Sequence, residues 1–106
     1  MISMMSIACS DSNNERVHTL RLEPGMDLNQ ALASVVQEQG WEAASVSTCV
    51  GSLTHLVIHP ANQRVLLERK GHFEIVLLTG IFSEEGTANH LHIAVSDSTG
   101  QTIGGI

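Results

Sequence analysis

Asp27-Leu28-Asn29-Gln30-Ala31-Leu32-Ala33-Ser34-Val35-Val36-Gln37-Glu38-Gln39-Gly40 is the stretch with a complete helix signature. Asp27 is a short acceptor suited to the first unpaired N–H groups of a helix, and Gln30, three residues on, completes a capping box. Leu28, Leu32, Val35, Val36 and Gln39 recur at helical spacing, and Gly40 tolerates the left-handed conformation that stops a helix. These signals predict a helix over 28–39. On either side of it the chain carries only strand signals. The expected fold is therefore α+β: a mostly antiparallel β-sheet of about six or seven strands with one main helix.

Upstream of the helix, Val17 to Leu22 alternates: His18, Leu20 and Leu22 share one face, Thr19 and Arg21 the other, until Pro24-Gly25 breaks the run. Downstream, Ala43 to Val50 is a small-residue, β-branched run closed by Gly51. Thr54–Ile58 and Arg64–Arg69 flank Pro60-Ala61-Asn62-Gln63, a turn-rich tetrapeptide, which predicts a hairpin. Phe73 to Leu78 is apolar apart from Glu74 and predicts a strand buried on both faces, continuing through Gly80 to Phe82. Glu84-Glu85-Gly86 turns the chain, His90–Ser96 is the next strand, and Asp97-Ser98-Thr99-Gly100 turns it again. Gln101–Ile103 opens a last strand. Residues 1–16, with the polar run Ser10-Asp11-Ser12-Asn13-Asn14, are expected to form a disordered tail ahead of one domain over 17–106.

Composition narrows the possible functions. The 106 residues suffice for one domain. Aromatic residues are limited to Trp41, Phe73 and Phe82, so the core must be built from Val, Ile, Leu and Ala, which suits sheets. The net charge is −6, and the five basic residues, Arg16, Arg21, Arg64, Arg69 and Lys70, are dispersed. Autonomous DNA binding draws on clustered Lys and Arg that displace phosphate counterions; this sequence offers no such cluster. No stretch approaches the roughly 20 apolar residues of a membrane span, and the start lacks the basic region and long apolar run of a signal peptide. Cys9 and Cys49 are too few for a disulfide framework and read as reduced thiols of a cytoplasmic protein.

Four segments in order add a family resemblance: Arg21-Leu22-Glu23-Pro24-Gly25-Met26-Asp27-Leu28; Trp41-Glu42-Ala43-Ala44-Ser45-Val46 through Gly51-Ser52-Leu53; Gly71-His72-Phe73-Glu74-Ile75-Val76 with Leu78-Thr79-Gly80; and His90-Leu91-His92-Ile93-Ala94-Val95-Ser96-Asp97 with Gly100 and Gly104-Gly105. Together they resemble the plants-and-prokaryotes-conserved (PPC) domain. It is found alone in bacteria and archaea, as candidate DNA-binding proteins, and behind AT-hooks in plants. The resemblance implies a homotrimer in which neighbours cover exposed sheet surface. It also implies an interaction role for Gly71, His72, Phe73, Glu74, Ile75 and Val76, which match the segment that contacts transcription-factor partners in the plant proteins. No Arg-Gly-Arg-Pro hook is present, so minor-groove contact does not carry over. The family pattern continues after the double glycine with a histidine and further closing strands; here that position is Ile106, and the domain is expected to lack its last strands.

His90 and His92, two apart on a predicted strand, leave the same face roughly 6.6 Å apart at about 3.3 Å per residue. Two imidazoles so placed suit zinc, which binds each at about 2.0–2.1 Å. The resemblance implies that the third ligand is the histidine after the double glycine, in a site similar to the three-histidine zinc centre of acetolactate decarboxylase; Ile106 cannot coordinate. Any zinc site here therefore needs His72, Glu74 or a neighbouring subunit. Glu74, set in an apolar strand, must be paired, hydrated or functional; a buried carboxylate beside a metal would serve as acid or base, whereas the plainer alternative is a carboxylate at a subunit contact or one accepting backbone hydrogen bonds. His18, His55 and His59 have no supporting spacing, and nothing activates Cys49. Gly104-Gly105 reads as a turn or bulge. The expected function is a non-enzymatic homotrimeric assembly and interaction module, and the alternative is a zinc-dependent enzyme or small-molecule binder.

Overall fold

The computed structural model describes residues 3–11, 14–84 and 87–106, with side chains from residue 17 on. In chain order the elements are β1 (Ser3–Asp11), β2 (Asn14–Leu22), α1 (Leu28–Gln39), β3 (Ala43–Ile58), β4 (Leu67–Ser83), β5 (Ala88–Ser96) and β6 (Thr102–Gly105). The described strands form one sheet in the order β2-β1-β3-β4-β5-β6, and every pairing is antiparallel. The α+β architecture with one helix agrees with the sequence reading.

The strand boundaries differ from it. Ala43–Val50 and Thr54–Ile58 are one strand, β3, and residues 67–69 merge with 73–82 into β4, while residues 64–66, expected to open that strand, stay in the loop. The strand segments read from the sequence thus condense to five, β2 to β6. Gly51 and Gly71 do not break the chain because ladder pairing continues past them: Gly51 pairs with Ser3, while Lys70 and Phe73 on either side of Gly71 pair with His55 and Leu53. The expected tail is also corrected. Ser3–Asp11 is β1, inserted between β2 and β3, with Ile7 opposite both His18 and Val46. Residues 12 and 13 of the polar run, and 85 and 86 of the Glu84-Glu85-Gly86 turn, lie outside the described residues.

Local chemistry explains the helix ends. Asp27 Oδ1 accepts from the Gln30 N–H at 2.9 Å, and Gly40 closes the helix at φ 71°, its N–H donating to the Gln37 and Val36 carbonyls. The helix lays Ala31, Leu32 and Val36 on one side of the sheet, in a cluster with Leu22, Trp41, Ala44, Val46, Leu78, Phe82 and Val95. Burying such side chains stabilises the fold by about 1.5–3 kcal/mol each. In the hairpin between β3 and β4 the Gln63 N–H donates to the Pro60 carbonyl at 3.1 Å, closing the expected turn.

The sheet curls at its other end. His59, just past β3, and Ile106, just past β6, exchange both backbone hydrogen bonds, at 2.9 and 3.0 Å. The end of β6 therefore returns to the end of β3. Gly105 makes this approach possible, because a Cβ there would sit 2.3 Å from the His59 carbonyl oxygen. Gly104 is equally tight, with the Ile93 carbonyl oxygen 2.7 Å from its would-be Cβ. The double glycine is thus part of a strand under close approach, not a turn or bulge. Among the described residues no helix is long and apolar enough to cross a membrane.

Candidate functional site

The helix covers only one side of the sheet, and the central strands show what is left on the other. Along β4, Phe73, Ile75, Leu78 and Phe82 are buried, while His72, Glu74, Val76, Leu77 and Ile81 are exposed. The expectation of burial on both faces fails: β4 alternates, with one irregularity between Ile75 and Leu77 where Val76 is the extra residue against β5. Such a bulge lets two adjacent apolar side chains both escape the core.

Cross-strand register assembles the outer face. Ile81 stands opposite Ser45 on β3 and His90 on β5, Thr79 opposite His92, and Leu77 opposite Ala94. Val50 joins them, next to Cys49, which packs on the core side. Val50, Val76, Leu77 and Ile81 are 71%, 59%, 53% and 59% exposed. This patch contains no Asp, Glu, Lys or Arg, in a chain of net charge −6. Sequence reasoning missed it. The signal was the doublet Val76-Leu77, in which a period of two cannot bury both residues.

His90 and His92 lie at the β5 edge of this face. Their ring centroids are 4.7 Å apart and their planes are tilted by 59°. Among the described residues no group of three His, Cys, Asp or Glu side chains could hold a metal ion. The register shows why His72 and Glu74 do not complete the set. Glu74 pairs with Ser96, four residues along β5 from His92, a separation of roughly 13 Å at about 3.3 Å per residue; His72 is further still.

Of the alternatives paired, hydrated or functional, the structure gives the first two to Glu74. It projects into solvent and pairs with His72 Nε2 at 2.7 Å, both side chains being more than 60% exposed. Its place in an apolar strand is explained by alternation, since it points away from the core. Within Gly71–Val76, Phe73 and Ile75 face the core, so only Gly71, His72, Glu74 and Val76 are available to a partner. His55 pairs in the same way with Glu68, at 2.8 Å, and His18 stacks on Trp41 with centroids 4.6 Å apart. Cys49 is a free thiol, pushed up in pKa by burial and thus further from a nucleophilic thiolate.

A groove of about 490 Å³ is bordered by residues 25–29, 53–58, Leu78, Leu91, Ile93 and Ile106. Its ionisable lining residues are engaged elsewhere, Asp27 with Gln30 and His55 with Glu68.

The profile of the Plants and Prokaryotes Conserved (PCC) domain, abbreviated PPC above, matches residues 9–106. The chain belongs to this family. Among solved structures, a hypothetical protein from Salmonella cholerae-suis superposes on this PCC domain with a TM-score of 0.80 at 38% identity, over 85% of this chain and 64% of that one. A Bacteroides thetaiotaomicron protein described as a candidate DNA-binding protein shares the fold, with a TM-score of 0.72 at 24% identity over 95% of this chain and 71% of that one. Two Synechococcus proteins named bifunctional protein GlmU, from strains JA-3-3Ab and JA-2-3B'a(2-13), are 41% and 39% identical over 93 residues. Those residues are 85% of this chain but only 14% of either relative, so this PCC domain spans about a seventh of the GlmU proteins it matches.

Proposed function

We propose that this PCC domain is a non-catalytic assembly and interaction module, working in the cytoplasm as a homotrimer whose copies meet through the apolar patch of Val50, Val76, Leu77 and Ile81 on the outer face of the sheet, which Glu74 borders at one end. The observation that carries this reading is the set Val50, Val76, Leu77 and Ile81, exposed together on the side the helix leaves open. Contact regions between proteins are depleted in charge at their centre, and copies of a chain of net charge −6 repel one another least where like charges are absent. The number three follows the family resemblance. The size range of the relatives also supports a module: the same domain accounts for most of the matched Salmonella chain and a small share of the GlmU proteins.

DNA binding, suggested by the description of the Bacteroides protein, fits this chain poorly as an autonomous activity, because its basic residues are few and dispersed. A DNA-linked or regulatory role would run through a partner protein. Sedimentation equilibrium tests assembly: the native chain should behave as a trimer, and Ile81→Asp with Leu77→Asp should give a folded monomer. A native chain that stays monomeric at high micromolar concentration would refute the reading. For DNA, fluorescence anisotropy on a labelled duplex should show only millimolar-range binding at physiological salt; sub-micromolar, salt-sensitive binding would contradict it.

The alternative, a zinc-dependent enzyme or small-molecule binder, draws on the His90–His92 contact alone, because Glu74 lies too far along the sheet to act beside that pair. It predicts one zinc per chain in the purified protein, lost on His92→Ala.

A further inference from the structure

Two registers converge on position 106. The β5–β6 ladder runs Ser96↔Thr102, Val95↔Ile103, Ala94↔Gly104 and Ile93↔Gly105, so the next rung sets residue 106 beside His92. On its other side Ile106 exchanges both backbone hydrogen bonds with His59. Residues directly opposite in an antiparallel ladder send their side chains to the same face, and His90 joins that face two residues along β5, its ring 4.7 Å from that of His92. The row His92–Ile106–His59, with His90 adjoining, thus has histidines on both flanks and a hydrocarbon in the middle.

We infer that His59 is a further member of this histidine set and that the side chain of Ile106 is what keeps the set metal-free in this chain. His59 and His92 stand on strands two apart, roughly 10 Å between backbones at about 4.8 Å per strand. To share one zinc, both imidazoles must close to about 2.0–2.1 Å from it. The branched side chain of Ile106 stands on the rung between them, where the ion would have to sit, and offers it no lone pair. The residues present therefore do not fit the three-histidine zinc site that the family resemblance implies, and the misfit lies at one side chain. A donor at 106 would turn the row into a four-ligand set of His59, residue 106, His92 and His90. That is the closed arrangement of a structural zinc, not the open one of a catalytic zinc. This inference is independent of the assembly reading.

The test compares the native chain with Ile106→His, using zinc retained after dialysis and the visible absorption of added Co²⁺. The native chain should retain far less than one zinc per chain and give no tetrahedral Co²⁺ spectrum. The Ile106→His variant should bind at least about tenfold more tightly, and adding His59→Ala should reverse the gain by about tenfold or more, the scale on which site residues act. Should Ile106→His fail to fold, Ile106→Cys, smaller than the native residue and also a zinc donor, makes the same comparison. One zinc per native chain would overturn the inference, as would a donor at 106 that brings no gain. A gain indifferent to His59→Ala would remove His59 from the set.

Discussion

Phe82 and Ile81 are neighbours in sequence and opposites in circumstance. Phe82 is 1% exposed, packed in the cluster beneath α1; Ile81 is 59% exposed, on the face that α1 does not cover. Both are large apolar residues on the same strand, so neither hydrophobicity nor strand propensity distinguishes them. What does is the single helix, which can cover only one side of a sheet. One face was built to hold the chain together. The other leaves Val50, Val76, Leu77 and Ile81 exposed.

The comparison can be broken by substitution. The largest effect is expected for Phe82→Ala, which should destabilise the fold by about 3–5 kcal/mol in urea denaturation, the usual range for emptying a buried aromatic site. Ile81→Ala in the dissociated chain should change stability by less than about 0.5 kcal/mol, as exposed positions do. Equal losses at the two sites would abolish the distinction between the faces.

Gly80, the residue before Ile81, should come next in size of effect. A Cβ there would sit 2.2 Å from the His90 carbonyl oxygen and 2.8 Å from the Leu91 Cα. Backbone cannot yield as a flexible side chain can, so Gly80→Ala should cost about 1–3 kcal/mol, the range of overpacking, and should loosen β4 from β5. Unchanged hydrogen-exchange protection across that pair would count against the packing described.

Asp97 sharpens the comparison through pH. Its carboxylate accepts from the Thr99 hydroxyl and N–H and from the Gln101 N–H, which holds its pKa below the ordinary aspartate value. A carboxylate favoured in the folded state adds stability that is fully present above the unfolded value, about 3.9. That stability disappears as pH falls through the lower folded value. Asp97→Ala should therefore lower Tm at neutral pH, with the gap to the native chain narrowing below about pH 4. A gap independent of pH would mean the turn is held by something other than the charge. The smallest effect is expected at His72→Ala. Its contact with Glu74 is exposed, and exposed pairs contribute about 0–1 kcal/mol; a larger loss would imply that this part of β4 is covered in solution.

The elements whose causes are local were legible from the residues alone. Asp27, Gln30 and Gly40 marked the ends of α1 because capping is settled within a few residues, and the turn at Pro60–Gln63 was legible for the same reason. What depended on neighbours was not. Gly51 looked like a strand end because its pairing with Ser3 comes from the far end of the chain, and β1 resembled a tail because its polar end hid a pairing with β2 and β3. Glu74 looked buried because an apolar run conceals which face each residue takes. At the candidate site, the pairing of His90 with His92 followed from a period of two. The place of His59 did not, since it rests on a contact between residues 59 and 106 that no spacing encodes.

The central claim is that the outer face of β3, β4 and β5 is covered in solution by other copies of the chain. Hydroxyl-radical footprinting across a dilution series tests it directly, with the exposed loop residues Val65 and Leu66 as internal reference. The account predicts that Val76, Leu77 and Ile81 are protected relative to that loop at high concentration and lose the protection on dilution. Equal modification of face and loop at every concentration would contradict it.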